Sequence, residues 1–154
     1  MTKSLALLPL VILSMAMSAP EPRPHTLRVL SKTYTIDRKY RSMEGPSSVE
    51  RIHLGDPLKP ELLWITGIRT EMVKEDGTTP QLPELMCHVN VDLDAAAHQA
   101  VFGFQRPTAS RLMTLSQGML SARVPNGFGF PIVSSEPLVL FTQVLNLNIE
   151  KHRT

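Results

Sequence analysis

Residues 84–94 read Glu-Leu-Met-Cys-His-Val-Asn-Val-Asp-Leu-Asp and contain the only cysteine of the chain. Apolar and polar side chains alternate along this segment, which is the pattern of a β-strand with two unlike faces. The apolar face consists of Cys87, Val89, Val91 and Leu93. The polar face consists of His88, Asn90, Asp92 and Asp94. We expect the apolar face to pack on a core, and the polar face to meet water, a partner strand or a ligand.

The segments around this strand also have β-strand character. We predict strands at 26–36, 61–73 and 137–149, and one or two strands within 111–124. Parts of 61–73 and 137–149 are apolar on both faces, so we expect Trp64 and Phe141 to be buried between two layers. The helical nucleus at 95–97 is too short to stand alone. Many short strands without helix–strand alternation predict an all-β fold, an antiparallel β-sandwich that is jelly-roll-like.

Two loops are marked by glycine and proline. Glu75-Asp76-Gly77 predicts a turn between antiparallel neighbours, with Gly77 at positive φ. Residues 125–131 predict a tight loop that contains two glycines and two phenylalanines. The Phe-Gly-Phe sequences at 102–104 and 128–130 either plug the core or offer exposed contacts to a partner.

The N-terminal residues predict a signal peptide over 1–19. Lys3 supplies a positive start, residues 5–17 form an apolar run too short to span a bilayer comfortably, and Ala16 and Ser18 have the spacing of a cleavage site. The alternative is an uncleaved anchor or a buried helix. We expect 20–154 to form a single domain of a secreted or periplasmic protein, without a stable membrane anchor after cleavage. Either residues 151–154 are a polar tail, or the chain is the N-terminal part of a longer protein.

Charge and cysteine content limit the possible partners. The net charge of +2 comes from 16 basic and 14 acidic residues without a basic run, so no nucleic-acid partner is expected. One cysteine permits no disulfide within the chain. The thiol of Cys87 is therefore buried and inert, paired with another chain, or a metal ligand; burial is the commonest of these for a free cysteine.

A metal hypothesis follows from Cys87 and His88, with His98 and His53 as further ligands supplied from loops. Thiolate and imidazole together select copper or zinc over calcium. Neighbouring residues on a regular strand point to opposite faces, so a shared ion requires a β-bulge at Cys87–His88. The alternative is a solvated polar face with a buried cysteine behind it.

Other chemistry has less support in the sequence. Ser116 and Ser121 lack the context of a nucleophile elbow. Asp92 and Asp94 share a strand face and could form an acid–base pair, although surface acids near turns are the ordinary explanation. The sequence therefore predicts no catalytic residue.

The order of a histidine-bearing strand, the loop Pro125-Asn126-Gly127-Phe128-Gly129 and a strong apolar strand resembles the first domain of the copper type II, ascorbate-dependent monooxygenases. That family includes the peptidylglycine- and dopamine-hydroxylating enzymes, which are built from two jelly-roll-like domains. The resemblance spans roughly residues 83 to 150. It implies a β-sandwich, and it implies copper as the metal at His88.

The ligand positions depart from that family. Cys87-His88 stands where the resemblance implies a His-His pair, so only His88 matches directly. Val144-Leu145-Asn146 stands where Val-His-Tyr is implied, and leucine cannot bind copper. The second copper domain has no counterpart. The resemblance therefore supports the fold more than the chemistry.

Three functional hypotheses follow. The first is a secreted β-sandwich protein, non-catalytic or of unknown activity, related to the copper monooxygenase domain. The second is a copper-binding protein, or a copper-dependent oxidoreductase, that uses Cys87 and His88. The third is a partner-binding or assembly module that offers a sheet edge or a Phe-Gly-Phe contact to another protein.

Overall fold

The computed structural model describes residues 24–103 and 110–147, and period-two alternation of the sequence produces short antiparallel strands within these ranges. The strands are β1 (Ser47–Ile52), β2 (Leu62–Ile65), β3 (Gly67–Arg69), β4 (Met86–Leu93), β5 (Arg111–Ser116), β6 (Ser121–Arg123), β7 (Phe130–Val133) and β8 (Leu138–Val144). One helix, α1 (Ala95–Phe102), and one 3₁₀ turn, Pro83–Leu85, complete the elements of this part of the chain. The predicted all-β, antiparallel, sandwich-like fold is confirmed.

The first layer is a four-stranded sheet in the order β1-β8-β4-β5, with every neighbouring pair antiparallel. The strand quoted above, β4, is therefore central and has partners on both sides. Of its predicted apolar face, Cys87, Val91 and Leu93 are buried and Val89 is half-buried. Val91 and Leu93 form a core cluster with Leu138 of β8 and Ile132 of β7.

The second layer is a ribbon formed by β2 and β3 on one side and by β6 and β7 on the other. Only Thr66 separates β2 from β3, whereas residues 124–129 separate β6 from β7. The amide of Val124 donates to the carbonyl of Thr66 at 2.9 Å and links the two halves. Inward-facing Leu63, Ile65 and Ile68 pack on the core of the four-stranded sheet.

Two expectations about the ribbon region are corrected. Residues 61–73 form two short strands and not one long strand. Trp64 is 58% exposed, so its predicted burial is wrong. The reason is that the second layer is only two strands wide, so that the side chain of Trp64 lies on its outer, solvent-facing side. Phe141, also expected to be buried, is half-buried and stacks on His88.

Residues 26–36 are extended but form no strand, which corrects a further expectation. Side-chain contacts hold this segment in place. Arg28 donates to the carbonyl of Gly77 at 2.6 Å, Tyr34 bonds Ser48 at 2.6 Å, and Ile36 is fully buried. The β-branched residues therefore indicate an extended backbone in this segment, but they do not by themselves provide a partner strand for backbone hydrogen bonds.

The short helical nucleus is extended into α1 by its caps. The carboxylate of Asp94 accepts from the amide of Ala97 at 3.1 Å, and Gly103 adopts a left-handed conformation at φ 66°. The predicted turn at 75–77 is confirmed, since Gly77 has φ 71° and Val73 pairs antiparallel with Pro80. Hydrogen bonds from Thr79 and Thr78 hold the pKa of Asp76 well below its usual range.

Several expectations lie outside the described residues: the signal peptide at 1–19, Phe104, and the end of the predicted last strand at 148–149. β8 ends at Val144. No helix among residues 24–103 and 110–147 is long and apolar enough to cross a membrane.

Truncation of Ile132 to alanine tests the two-layer core. Ile132 is fully buried between the ribbon and the four-stranded sheet. We expect Ile132→Ala to lower the free energy of unfolding by about 2–5 kcal/mol, because the lost apolar contacts leave a cavity. Leu58→Ala, at an exposed site, should change it by less than about 0.5 kcal/mol. Chemical denaturation measures both, and equal effects would contradict the proposed core.

Candidate functional site

A β-bulge at Cys87 determines the geometry of the candidate site. Met86 lies opposite Val144, and His88 lies opposite Gln143, so Cys87 is the extra residue of β4 in its pairing with β8. A bulge turns two successive side chains toward the same side of a sheet. The Sγ of Cys87 and the Nδ1 of His88 accordingly lie 3.3 Å apart. The bulge that a shared ion requires is therefore present.

Ser42 and Phe141 lie beside this pair. The Oγ of Ser42 lies 3.9 Å from the Cys87 sulfur, and the ring of Phe141 stacks on His88 with centroids 5.2 Å apart. Cys87 is only 8% exposed, whereas His88 is half-buried. Access from solvent is therefore through the imidazole side of the pair.

Gln143, opposite the bulge, carries an unsatisfied polar atom. Its side chain is 6% exposed, and its Nε2 donates to the carbonyl of Gly45 at 3.1 Å. Its Oε1 is buried and has no hydrogen-bond partner among the described residues. A buried acceptor without a partner costs about 1–3 kcal/mol, so a water molecule or a ligand at this atom would be stabilising.

The electrostatic environment of His88 favours its neutral form. Burial lowers the pKa of His88 below its usual value of 6.5, and the nearby positive charge of Arg111 lowers it further. Neutral imidazole is the form that binds metal ions and accepts a proton from a thiol. The imidazole can therefore serve either role at neutral pH.

The rest of the polar face of β4 is paired internally. The amide oxygen of Asn90 accepts from Thr114 at 2.9 Å, and Asp92 accepts from Arg111 at 2.5 Å. Asp94 is bonded to Arg51, and this hydrogen bond is the main reason why the pKa of Asp94 is lowered. Each carboxylate that could have formed an acid–base pair is thus held by an arginine.

The other two predicted metal ligands are engaged or exposed elsewhere. His98 is buried in α1, and its Nδ1 lies 2.8 Å from the Oε2 of Glu136. The other carboxylate oxygen of Glu136 accepts from the amide of Val133 at 2.7 Å. His53 follows β1 and is exposed. Within the described ranges, no three His, Cys, Asp or Glu residues form a group that could hold a metal ion.

A second candidate surface, which the sequence did not predict, lies on the outer side of the ribbon. Opposite residues of an antiparallel pair share a face. Leu62 pairs with Val133 and Trp64 pairs with Pro131, so we name these four residues the ribbon face. Leu62 is 57% exposed, and the neighbouring Phe128 is 70% exposed. The ribbon face is therefore apolar and open to solvent.

The loop at 124–129 adjoins the ribbon face. A Cβ atom placed on Gly129 would lie 3.1 Å from the Cβ of Trp64, so the loop backbone packs closely on the tryptophan. The loop that carries the exposed Phe128 therefore comes next to Trp64. Leu62 and Trp64 occupy alternate positions of β2, a pattern that indicates an apolar outer face. The same pattern also fits a strand that is buried on both sides.

Searches of protein-family models, curated proteins and solved structures find no match to this chain. Any functional assignment therefore has to come from the geometry of its own residues.

The lowered pKa of His88 predicts how stability varies with pH. Below about pH 6.5 the unfolded chain takes up a proton at His88 before the folded protein does, so the contribution of His88 to stability is present above that pH and lost as pH falls. We expect His88→Gln to reduce the loss of unfolding free energy between about pH 8 and pH 5. An NMR titration of the His88 ring should have its midpoint below that of a free histidine; a midpoint above it would contradict the assignment.

Proposed function

We propose that this chain is a secreted, non-catalytic β-sandwich module that binds another protein through the ribbon face. The observation that carries the proposal is the exposure of Trp64 and Leu62 on one side of a layer only two strands wide, next to the loop that carries the exposed Phe128. Large apolar side chains that are contiguous at a surface mark interaction sites in soluble proteins. Tryptophan in particular is enriched among residues that dominate binding energy.

The distribution of polar pairing supports this choice of surface. The outer face of the four-stranded sheet is occupied by Asn90–Thr114, Asp92–Arg111 and Asp94–Arg51 contacts. A partner that docked there would have to replace those bonds or leave them buried. The ribbon face carries no charged side chain, so covering it removes apolar area from water without that penalty.

A photo-cross-linking experiment tests the proposal. A benzophenone side chain in place of Phe128, in the cell that produces the protein, should give a discrete adduct. The same group in place of Val49, which is exposed on the outer face of the four-stranded sheet, serves as the matched control and should give none. Trp64→Ser should lower the adduct yield at position 128 by about fivefold or more.

The outcome of that experiment is decisive in both directions. Equal adducts at positions 128 and 49, or a yield at 128 that Trp64→Ser leaves unchanged, would reject the ribbon face as a binding surface. Trp64 is the only tryptophan of the chain. Its fluorescence emission should therefore shift to shorter wavelength when the ribbon face is covered, which provides an independent measurement.

The second candidate function is binding of a soft metal ion, copper in the first instance, by Cys87 and His88. A tetrahedral ion with bonds of about 2.3 Å to sulfur and 2.0 Å to nitrogen separates these ligands by about 3.5 Å. The 3.3 Å distance at the bulge fits that separation. His98 is held by Glu136, so a third ligand would have to come from another group. Ser42, 3.9 Å from the Cys87 sulfur, and Gln143, opposite His88, are polar candidates.

Thiol alkylation tests the metal hypothesis. If copper is bound, it keeps Cys87 as a protected thiolate, so a chelator should raise the labelling rate of the folded protein by about tenfold or more and release the metal. His88→Gln should abolish both effects, whereas His53→Gln should not. Equal labelling with and without chelator, with no metal released, would leave Cys87 as a buried thiol.

A further inference from the structure

We propose that the partner of the ribbon is a second copy of this chain, and that the outer edge of β2 pairs antiparallel with the same edge of that copy. The two ribbons then form one four-stranded sheet with β2 strands at its centre. This inference rests on the proposed function, since it names the partner that covers the ribbon. The main support for edge pairing comes from the backbone groups of β2, in addition to its side chains.

Pro131 reveals which backbone groups of β2 face outward. In an antiparallel pair, hydrogen-bonded and non-hydrogen-bonded sites alternate. Trp64 lies opposite Pro131, which has no N–H, so this pair occupies a non-hydrogen-bonded site. The bond from the amide of Ser134 to the carbonyl of Glu61, 2.8 Å, follows the same alternation. The N–H and C=O groups of Leu62 and Trp64 therefore point away from β7.

These outward groups have no backbone partner among the described residues. β2 pairs only with β7, and no other backbone hydrogen bond of the described chain involves Leu62 or Trp64. The edge runs through Leu62–Ile65 and contains no charge, proline or glycine. Natural proteins place such features on free edges in order to prevent strand addition.

The opposite edge of the ribbon is closed. Pro131 offers no N–H there, and the N–H of Val133 is bonded to the carboxylate of Glu136. The edges of the four-stranded sheet carry charges, Glu50 and Arg51 on β1 and Arg111 at the start of β5. Among these edges, that of β2 is the one left unprotected, which is the reason for placing the interface there.

A second copy fits this edge because the edge is complementary to itself. A two-fold axis beside Leu63 places Leu62 opposite Trp64 of the second copy, and Trp64 opposite Leu62. Each of these two pairs exchanges both of its hydrogen bonds, so all four outward groups on each copy are satisfied. The two ribbon faces also become continuous, which brings the exposed indoles and leucines together.

The experiment uses the full chain as it is secreted. Sedimentation velocity should show the average mass rising from one to two copies as concentration increases from about 1 µM to about 1 mM. Hydrogen exchange, followed by NMR over the same range, should slow at the amides of Leu62 and Trp64. The amide of Leu63, which faces β7, should be protected at every concentration and serves as an internal reference.

A matched pair of variants isolates the backbone contribution. Leu62→Pro removes the outward N–H and no bond to β7, whereas Leu62→Val keeps the N–H with a side chain of similar size. We expect Leu62→Pro to weaken dimerisation by about tenfold or more relative to Leu62→Val, because the symmetric interface loses two bonds. If Leu62→Pro fails to fold by circular dichroism, Leu62→Lys against Leu62→Met replaces it, since a lysine at an edge opposes strand addition.

The outcomes separate this inference from the proposed function. A chain that stays monomeric, or a dimer in which the Leu62 and Trp64 amides exchange as fast as in the monomer, overturns edge pairing. If position 128 still forms a Trp64-dependent adduct with a different protein, the ribbon face remains a binding surface and only the second copy is rejected. If both fail, the proposed function fails as well.

Discussion

The antiparallel pairing of β4 with β8 fixes the position of both candidate sites. These two central strands join the core cluster of Val91, Leu93 and Leu138, against which the ribbon packs through Ile132. They also carry the bulge at Cys87. A central strand cannot shift its register by one residue without moving its apolar side chains to the solvent face, so the core holds the bulge in place. The Cys87–His88 contact is thus a consequence of core packing at the opposite end of the strand.

The central strand could be predicted from the sequence because one of its faces is apolar and the other is polar. Val89, Val91 and Leu93 alternate with polar residues, and only one arrangement buries the first set and pairs the second. The ribbon could not be predicted in the same way. A segment that is apolar on both faces fits a buried strand in a wide layer or an exposed strand in a narrow one, and the width of the layer depends on residues far away in sequence. Trp64 was assigned to the first case and belongs to the second.

The residues at 26–36 show a related limit. Their composition correctly indicates an extended backbone, but a strand also needs a partner at the right distance. Tyr34 and Ile36 instead reach the core through their side chains, while Lys32 donates its amide to the carboxylate of Glu50 at 3.0 Å. β-propensity describes a fit to a half-buried surface more than a backbone preference, and here the surface is contacted without a ladder.

Of the four residues in the metal hypothesis, the structure brings Cys87 and His88 together and places His98 and His53 elsewhere. Cys87 and His88 are adjacent in the chain, so only a local bulge was needed to bring their side chains together. His98 and His53 were included on residue type alone. His98 is held by Glu136, which lies 38 residues away in sequence, so no local pattern indicates this contact. A histidine buried with a carboxylate is committed to that contact, because separation of the pair would leave a buried polar group unpaired.

The carboxylate of Glu136 also connects α1 to β7. Glu136 binds His98 with one oxygen and the outward amide of Val133 with the other, so it anchors α1 and closes the edge of β7. β2, on the other side of the ribbon, has no equivalent group among the described residues. β2 and β7 both direct backbone N–H and C=O groups away from each other. The outward amide of Val133 on β7 is bonded within the chain, whereas the outward groups of β2 have no backbone partner among the described residues. A sheet edge that is apolar on both faces and lacks a protecting charge gains from pairing in two ways, through its hydrogen bonds and through the apolar area that the added strand covers. The narrow layer of this sandwich is therefore where the proposed pairing with a second copy would add both hydrogen bonds and covered apolar area.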